Sequence, residues 1–177
     1  QLGWKVIVFE KESYPFHKVC GEYISMESWN YLQSVGLRLT EMNLPRINKL
    51  VVSAPSGKQL TATLPLGGFG ISRYTLDAAL VNIAKNNGIT VMDTCKVNEV
   101  EFDNDGFNLK TQQGVFFSKI CCGSFGKKSN LDVKWKRSFL AGSNNKLNNL
   151  VAVKYHVKAA ADPGTITLHN FKDGYCG

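Results

Sequence analysis

A short apolar run that ends in a carboxylate constrains the fold of this chain more than any other feature. Four apolar residues, 6–9, lie between Lys5 and Glu10, which is the pattern of a buried strand. Gly3 stands just before the run, at a position where a helix C-terminus would stop. The sequence therefore predicts the tail of a helix, a turn and a strand of a parallel sheet that covers residues 5–10.

Glu10 is the first residue that suggests a function. In a dinucleotide-binding βαβ unit, an acidic side chain at the end of the second strand accepts hydrogen bonds from the hydroxyls of the adenosine ribose. The G-x-G-x-x-G turn of such a unit lies about 20 residues earlier, which would place it before Gln1. A glutamate after an apolar strand also occurs without any ligand, and that alternative stays open.

Helical spacing of apolar residues predicts two helices. Ser25 can cap a helix that ends at Gly36 and carries Trp29, Leu32 and Val35 on one face. The second helix is the clearer one, and Gly88 follows it as a stop signal. Its apolar stripe consists of Leu76, Ala79, Leu80, Ile83 and Ala84.

The remaining apolar runs predict strands, and with them the fold class. A hairpin is expected around the turn 55–57, and a long strand over 150–157 is expected to pair with 165–171. Shorter strands are predicted at 89–92, 96–102, 107–111, 115–118 and 120–122. The mixture predicts an α/β (α+β mixed) fold, in which parallel strands packed by the 75–87 helix are interrupted by an antiparallel sheet.

Composition excludes several classes of protein. No apolar run approaches the roughly 20 residues of a membrane helix, so a cytoplasmic protein without a transmembrane segment is expected. The five cysteines lack paired C-x-x-C spacing, which argues against a zinc site and a disulfide framework. The three histidines show no base–nucleophile spacing, and His156 and His169 are interpreted as structural or surface residues. No metal is therefore predicted.

The basic stretch over residues 127–137 accounts for much of the net charge of +7. A solvated basic face is one interpretation. Attraction to an anionic partner, such as a phosphate-bearing substrate or an acidic carrier protein, is the other. Because no nucleic-acid motif accompanies the charge, nucleic acid is not expected as a partner.

Three segments together resemble the geranylgeranyl reductase-like flavoproteins, which belong with the p-hydroxybenzoate hydroxylase and tryptophan halogenase-type enzymes. Residues 10–22, EKESYPFHKVCGE, combine a strand-end glutamate, a Pro-Phe pair, a basic residue and Cys-Gly-Glu. Residues 72–80, SRYTLDAAL, are similar to the R-x-x-L-D-x-x-L helix start of that family. Residues 123–129, GSFGKKS, look like its G-A-D-G-x-x-S segment, with Ser124 and Phe125 replacing Ala and Asp.

The resemblance implies a division into domains. A partial Rossmann-like FAD-binding domain would comprise residues 1–47 and 70–130, and part of a substrate-binding antiparallel sheet domain would comprise 48–69 and 131–177. Residues 174–177 resemble the point where the substrate sheet leads into the Gly-Tyr and Phe-Pro region of the family. The family's glycine-rich turn and its later Gly-Asp segment would lie outside the sequence, so an internal fragment is expected.

The resemblance also implies roles for residues. Lys18 and Arg73 would offer cationic donors to the cofactor, and Gly21 would let the backbone approach the flavin. Cys20 and Glu22 would lie near the isoalloxazine, although no catalytic residue is identified. The cofactor-binding residues implied in this way are Glu10, Lys11, Lys18, Cys20, Gly21, Arg73, Val97, Gly123 and Gly126.

Several of these residues have a purely structural alternative. Cys20 can be an inert buried thiol. Glu22 can be a charge near the N-terminus of the helix that Ser25 caps. Arg73 and Asp77 can form an ion pair at the i,i+4 spacing of a helix.

The activity that the resemblance implies is an FAD-dependent oxidation or reduction of an apolar or aromatic small molecule. Reduction of carbon–carbon double bonds and monooxygenase- or halogenase-type chemistry are both open, with NAD(P)H as a candidate electron donor. The flavin supplies the redox chemistry, and the protein orients it. The alternative function is a non-catalytic fragment or binding module that does not retain FAD by itself.

Overall fold

A computed structural model describes residues 3–126, 129–138 and 151–177. The chain forms two compact units. Unit 1 comprises residues 1–14 and 88–152, and unit 2 comprises residues 15–87 and 153–177.

Unit 1 contains a pair of parallel strands. Strand β1 (Ile7–Phe9) pairs with β5 (Thr90–Met92), with Ile7 opposite Thr90. The pairing continues past β1, because the backbone N–H of Glu10 donates to the carbonyl oxygen of Met92 at 2.9 Å. The parallel strand predicted at residues 5–10 is confirmed over Ile7–Phe9. Its predicted burial is wrong, because the side chains of Val6, Ile7 and Val8 are exposed.

The rest of unit 1 is a three-stranded antiparallel sheet in the order β6-β7-β8. Its strands are β6 (Val97–Asp103), β7 (Gly106–Thr111) and β8 (Gly114–Ser118), followed by helix α3 (Asn130–Lys134). Val100, Leu109 and Leu131 form the buried cluster of this unit, and Phe9 and Phe116 pack against it. The strand predicted at 120–122 is wrong. Cys121 packs on the cluster from a segment without regular structure, so its apolar character reflects burial alone.

Unit 2 is built on a five-stranded sheet in the order β10-β9-β3-β4-β2. The strands are β2 (Tyr23–Ser25), β3 (Arg46–Ser53), β4 (Gln59–Gly70), β9 (Thr165–Phe171) and β10 (Gly174–Cys176). The β3–β4 hairpin around Pro55, Ser56 and Gly57 is confirmed, with Ser53 opposite Gln59.

Strand β9 does not have the predicted partner, which was a strand over 150–157. Strand β9 runs parallel to β3, with Leu50 opposite Ile166, and forms an antiparallel hairpin with β10. Residues 151–157 form no strand, while residue 150 lies outside the described part of the chain. Val151, Val153 and other alternating apolar residues of that segment are exposed, so the alternation does not mark one face of a sheet.

Both predicted helices are present. Ser25 accepts a hydrogen bond from Glu27 and caps a 3₁₀ turn (Met26–Ser28) that leads into α1 (Trp29–Ser34). Gly36 then reverses the chain at φ +104°, a backbone conformation that glycine adopts readily. Helix α2 (Arg73–Asn86) is longer than predicted at its N-terminus, and a second 3₁₀ turn (Leu39–Glu41) precedes β3.

The core of unit 2 lies between α2 and the end of β4. The fully buried ring of Phe69 packs edge-to-face on Trp29 at 5.0 Å. The stripe of α2 packs on this core, whereas the sequence predicted that it packs on the parallel strands. The buried members are Trp29, Leu37, Leu39, Phe69, Ile71 and Leu76.

The compact units divide the chain at positions other than the boundaries 47/48, 69/70 and 130/131 predicted for the functional domains. Compactness reflects packing and assigns no ligand, so the division into cofactor and substrate domains stays a prediction. None of the helices in the described ranges combines the length and apolar character that crossing a bilayer needs.

Candidate functional site

The predicted site residues of unit 2 meet where the loop 15–22 reaches the N-terminus of α2. Glu22 adopts φ +59°, an uncommon conformation for a residue other than glycine. Its carbonyl oxygen accepts a hydrogen bond from Ile71 at 3.0 Å, and its N–H donates to the sulfur of Cys20 at 3.5 Å. These bonds fix the Cys-Gly-Glu segment against the end of β4.

The Glu22 carboxylate is the most connected group of this site. Its Oε1 accepts hydrogen bonds from the Arg73 N–H at 2.9 Å and from the Lys154 ammonium, while its Oε2 lies 3.7 Å from His156 Nε2. Burial raises the pKa of Glu22, but the bonds from Lys154 and Arg73 outweigh burial and hold it below the usual value. Glu22 therefore serves the N-terminus of α2, whereas the structural alternative placed it at the helix after Ser25.

Asp77 binds Lys18 and Arg73, two of the three cations that the resemblance assigned to the cofactor. Arg73 forms a two-pronged pair with it, Nε to Oδ1 at 2.8 Å and Nη2 to Oδ2 at 2.9 Å. Lys18 Nζ also lies 2.9 Å from Oδ2. The alternative of an i,i+4 pair between Arg73 and Asp77 is thus confirmed.

The electrostatics of this cluster follow from its burial. Burial raises the pKa of the Asp77 carboxyl, which is 8% exposed, yet the bonds from Arg73 and Lys18 bring it below its usual value. The pKa of Arg73 is raised, chiefly by its bond to Asp77 and also by the nearby Cys20 thiol. Asp77 is therefore an anion near neutral pH. Its ion pair with Lys18 holds the loop 15–22 on α2.

Two histidines that the sequence did not assign to any site join Glu22. The ring of His17 stacks on Tyr74 at 4.8 Å and meets the ring of His156 edge-on at 4.8 Å. One potential ligand atom from each of His17, Glu22 and His156 lies within 4.8 Å of the other two. No local spacing could reveal this cluster, because the histidines are far apart in the sequence.

A cleft of about 340 Å³ opens beside the same segment. Gly21 and Glu22 form part of its wall, together with residues 70–72 and 165–167. A Cβ placed on Gly21 would meet nothing within 4 Å. The packing of the chain therefore does not explain the glycine, and a ligand could approach its backbone.

The other predicted residues lie in unit 1. Glu10 follows β1 directly, and its Oε1 accepts a hydrogen bond from the Glu12 N–H at 3.1 Å. Lys11 is exposed and pairs with Glu12 at 3.5 Å, while Val97 begins β6 and packs on the core. Gly123 and Gly126 lie in a segment without regular structure, where Gly126 adopts φ +81°.

In the described part of the basic stretch, Lys134, Trp135 and Arg137 have partners within the chain. Lys134 Nζ donates to the carbonyl oxygen of Asn98 at 3.1 Å, and the indole N–H of Trp135 donates to that of Val100 at 3.2 Å. Lys127 and Lys128 lie outside the described residues. Lys134 and Trp135 therefore hold α3 against β6.

The sequence and the fold of this chain resemble known proteins to different extents. No protein-family model and no curated protein matches the sequence. Solved structures do match. The myxobacterial chondrochloren halogenase CndH, described as a variant of the FAD-dependent halogenases, superposes with a TM-score of 0.66 at 14% identity over 98% of this chain. The chain has the fold of part of an FAD-dependent halogenase.

Two further structures support the same fold. FqzB has a TM-score of 0.64 at 18% identity over 80% of the chain. The halogenase PltM in complex with phloroglucinol and FAD has a TM-score of 0.60 at 14% identity over 76%. This chain spans 44% of CndH, 34% of FqzB and 32% of PltM. At these identities the likeness establishes the fold.

Proposed function

We propose that this chain is part of an FAD-dependent oxidoreductase. The observation that carries the proposal is Glu10, which stands at the carboxyl end of β1 in a parallel pair of strands. A carboxylate at this place accepts hydrogen bonds from ribose hydroxyls in dinucleotide-binding folds. The likeness to FAD-dependent halogenases supports the same cofactor.

The residues of the chain fit FAD to different degrees. Glu10 fits the adenosine ribose by its place on the strand, and Gly21 leaves open space in the wall of the cleft. Lys18 and Arg73 bind Asp77. The Asp77 carboxylate would therefore partly neutralise the attraction of these two cations for an anionic cofactor. We assign the direct contacts to Glu10 and Gly21, and a supporting role to Lys18 and Arg73.

The substrate that this proposal favours is a small aromatic or apolar molecule. PltM binds phloroglucinol, a small aromatic compound, in a structure that shares this fold. When bound, the flavin supplies the electron transfer for halogenation, hydroxylation or reduction of a double bond. The chain would orient the flavin and keep Glu22, in the wall of the cleft, anionic. NAD(P)H is the proposed electron donor, and a carrier-bound or phosphate-bearing substrate remains compatible with the proposal.

The proposal is tested by titrating FAD into the protein without substitutions, here called the parent, and following flavin fluorescence. Glu10→Ala removes hydrogen bonds to a charged acceptor, each worth about 1.5–3 kcal/mol, so affinity should fall by about ten- to hundredfold. Glu12→Ala is the matched control, since it removes an equal charge two residues away. Equal affinity of both variants would refute the ribose role. Absence of any flavin binding by the parent would favour a non-catalytic binding module.

A further inference from the structure

The cluster of His17, Glu22 and His156 carries an inference that does not depend on the flavin. The chain has three histidines, and two of them converge on one carboxylate within unit 2. Two imidazoles and one carboxylate form a common ligand set for divalent transition metals. We propose that His17, Glu22 and His156 bind one divalent transition-metal ion, with zinc as the probe.

The distances in the cluster are close to those of a coordinated ion. Ligand atoms at about 2.0–2.2 Å from a tetrahedral metal lie roughly 3.3–3.6 Å from one another. Glu22 Oε2 and His156 Nε2 are 3.7 Å apart, and all three ligand atoms lie within 4.8 Å of each other. A contraction of about 1 Å closes the site. His17 and His156 are exposed, so their rings can make that movement.

The surroundings of the cluster orient its ligands. Glu22 Oε1 accepts hydrogen bonds from the Arg73 N–H and Lys154, which directs Oε2 toward His156. Carboxylate ligands are commonly held by such outer hydrogen bonds. The ring of His17 stacks on Tyr74 and meets the ring of His156 edge-on. The ammonium of Lys154 repels a second cation, and this lowers the affinity that the three ligands would otherwise give.

Three protein ligands leave a coordination position open. Glu22 also forms part of the wall of the cleft. The open position is available to water or to an oxygen-bearing ligand. The absence of paired cysteine spacing does not bear on a site of this kind, because its ligands are nitrogen and oxygen atoms.

The test is calorimetric titration of Zn²⁺ into chelator-treated protein. One equivalent should bind to the chain without substitutions and to His169→Ala. The latter is a control, because His169 pairs with Ser53 outside the cluster. His17→Ala, His156→Ala and Glu22→Gln should each weaken binding at least tenfold. Because His17 and His156 are exposed, the two histidine variants should keep the circular dichroism spectrum of the unsubstituted chain.

Cobalt spectroscopy separates this site from adventitious binding by thiols. All five cysteines are free, and Cys20 lies close to Glu22. Co²⁺ in the proposed site should show no thiolate-to-metal charge-transfer band, and Cys20→Ser should bind Zn²⁺ like the parent. Unchanged affinity in His17→Ala or His156→Ala, a thiolate band, or no stoichiometric binding by the parent would each overturn the proposal. A failure to bind FAD would leave these results unaffected.

Discussion

At the scale of single residues, Asp77 decides how the loop 15–22 is held on α2. It is almost buried and binds both Arg73 and Lys18. Losing hydrogen bonds between charged groups costs about 1.5–3 kcal/mol. We expect Asp77→Asn to lower the free energy of unfolding by that amount in urea titrations at neutral pH.

The same carboxyl predicts a pH dependence. Its pKa in the folded chain lies below the ordinary value of 3.8, so its contribution to stability is present above that value and is lost as the pH falls through the folded pKa. The difference in unfolding free energy between the parent and Asp77→Asn should therefore be constant near neutrality and shrink in acid. A difference that grew below pH 3.8 would contradict the ion pair.

Gly21 and Gly68 make opposite predictions for the same substitution. A methyl group on Gly21 meets nothing within 4 Å, whereas one on Gly68 would lie 2.3 Å from the ring of Tyr23 and 2.6 Å from the carbonyl oxygen of Ile24. Gly21→Ala should change stability by less than about 0.5 kcal/mol but weaken FAD binding. Gly68→Ala should destabilise by about 1–3 kcal/mol. Thermal unfolding and flavin titration of both variants distinguish a ligand-facing glycine from a packing glycine.

At the scale of elements, the start of α2 positions both Arg73 and the Glu22 contact. Ser72 caps this helix by accepting a hydrogen bond from the Thr75 N–H at 3.1 Å. Ser72→Ala should reduce stability by about 0.5–2 kcal/mol. Ser28→Ala is the matched control, because Ser28 precedes α1 without a side-chain capping bond. Equal effects of the two substitutions in denaturant titrations would contradict this role of the cap.

Some helices and strands were predictable from the sequence, and others were not. The strand before Glu10, the β3–β4 hairpin and α2 follow from local apolar spacing and turn residues, and all were predictable. The parallel pairing of β9 with β3 was not, since alternation identifies a strand but not its neighbour or direction. The apolar alternation over 151–157 was misleading for the same reason, because those side chains are exposed.

The site divides in the same way. Proximity in sequence made the Arg73–Asp77 pair predictable, and the position of Glu10 followed from its strand. The link from Lys18 to Asp77 and the meeting of His17 with His156 depend on tertiary packing. The family resemblance placed Cys20 and Glu22 in one segment but could not show that Glu22 accepts a hydrogen bond from the start of α2.

At the scale of the whole molecule, the residues of the proposed function are distributed over both compact units. Unit 1 holds the parallel strands and Glu10, and unit 2 holds the five-stranded sheet, the cleft and the Asp77 and Glu22 clusters. The fold matches FAD-dependent halogenases over nearly the entire chain in one case. The proposed function depends most on Glu10, which would recognise the adenosine half of FAD.

The most direct measurement of that claim compares FAD with FMN, which contains the same flavin ring but lacks the adenosine. Both flavins are titrated into the parent, Glu10→Ala and Glu12→Ala, with fluorescence as the readout. We predict that the parent and Glu12→Ala prefer FAD, and that Glu10→Ala loses about ten- to hundredfold of that preference while its FMN affinity is unchanged. An FAD preference that survives in Glu10→Ala would contradict the account.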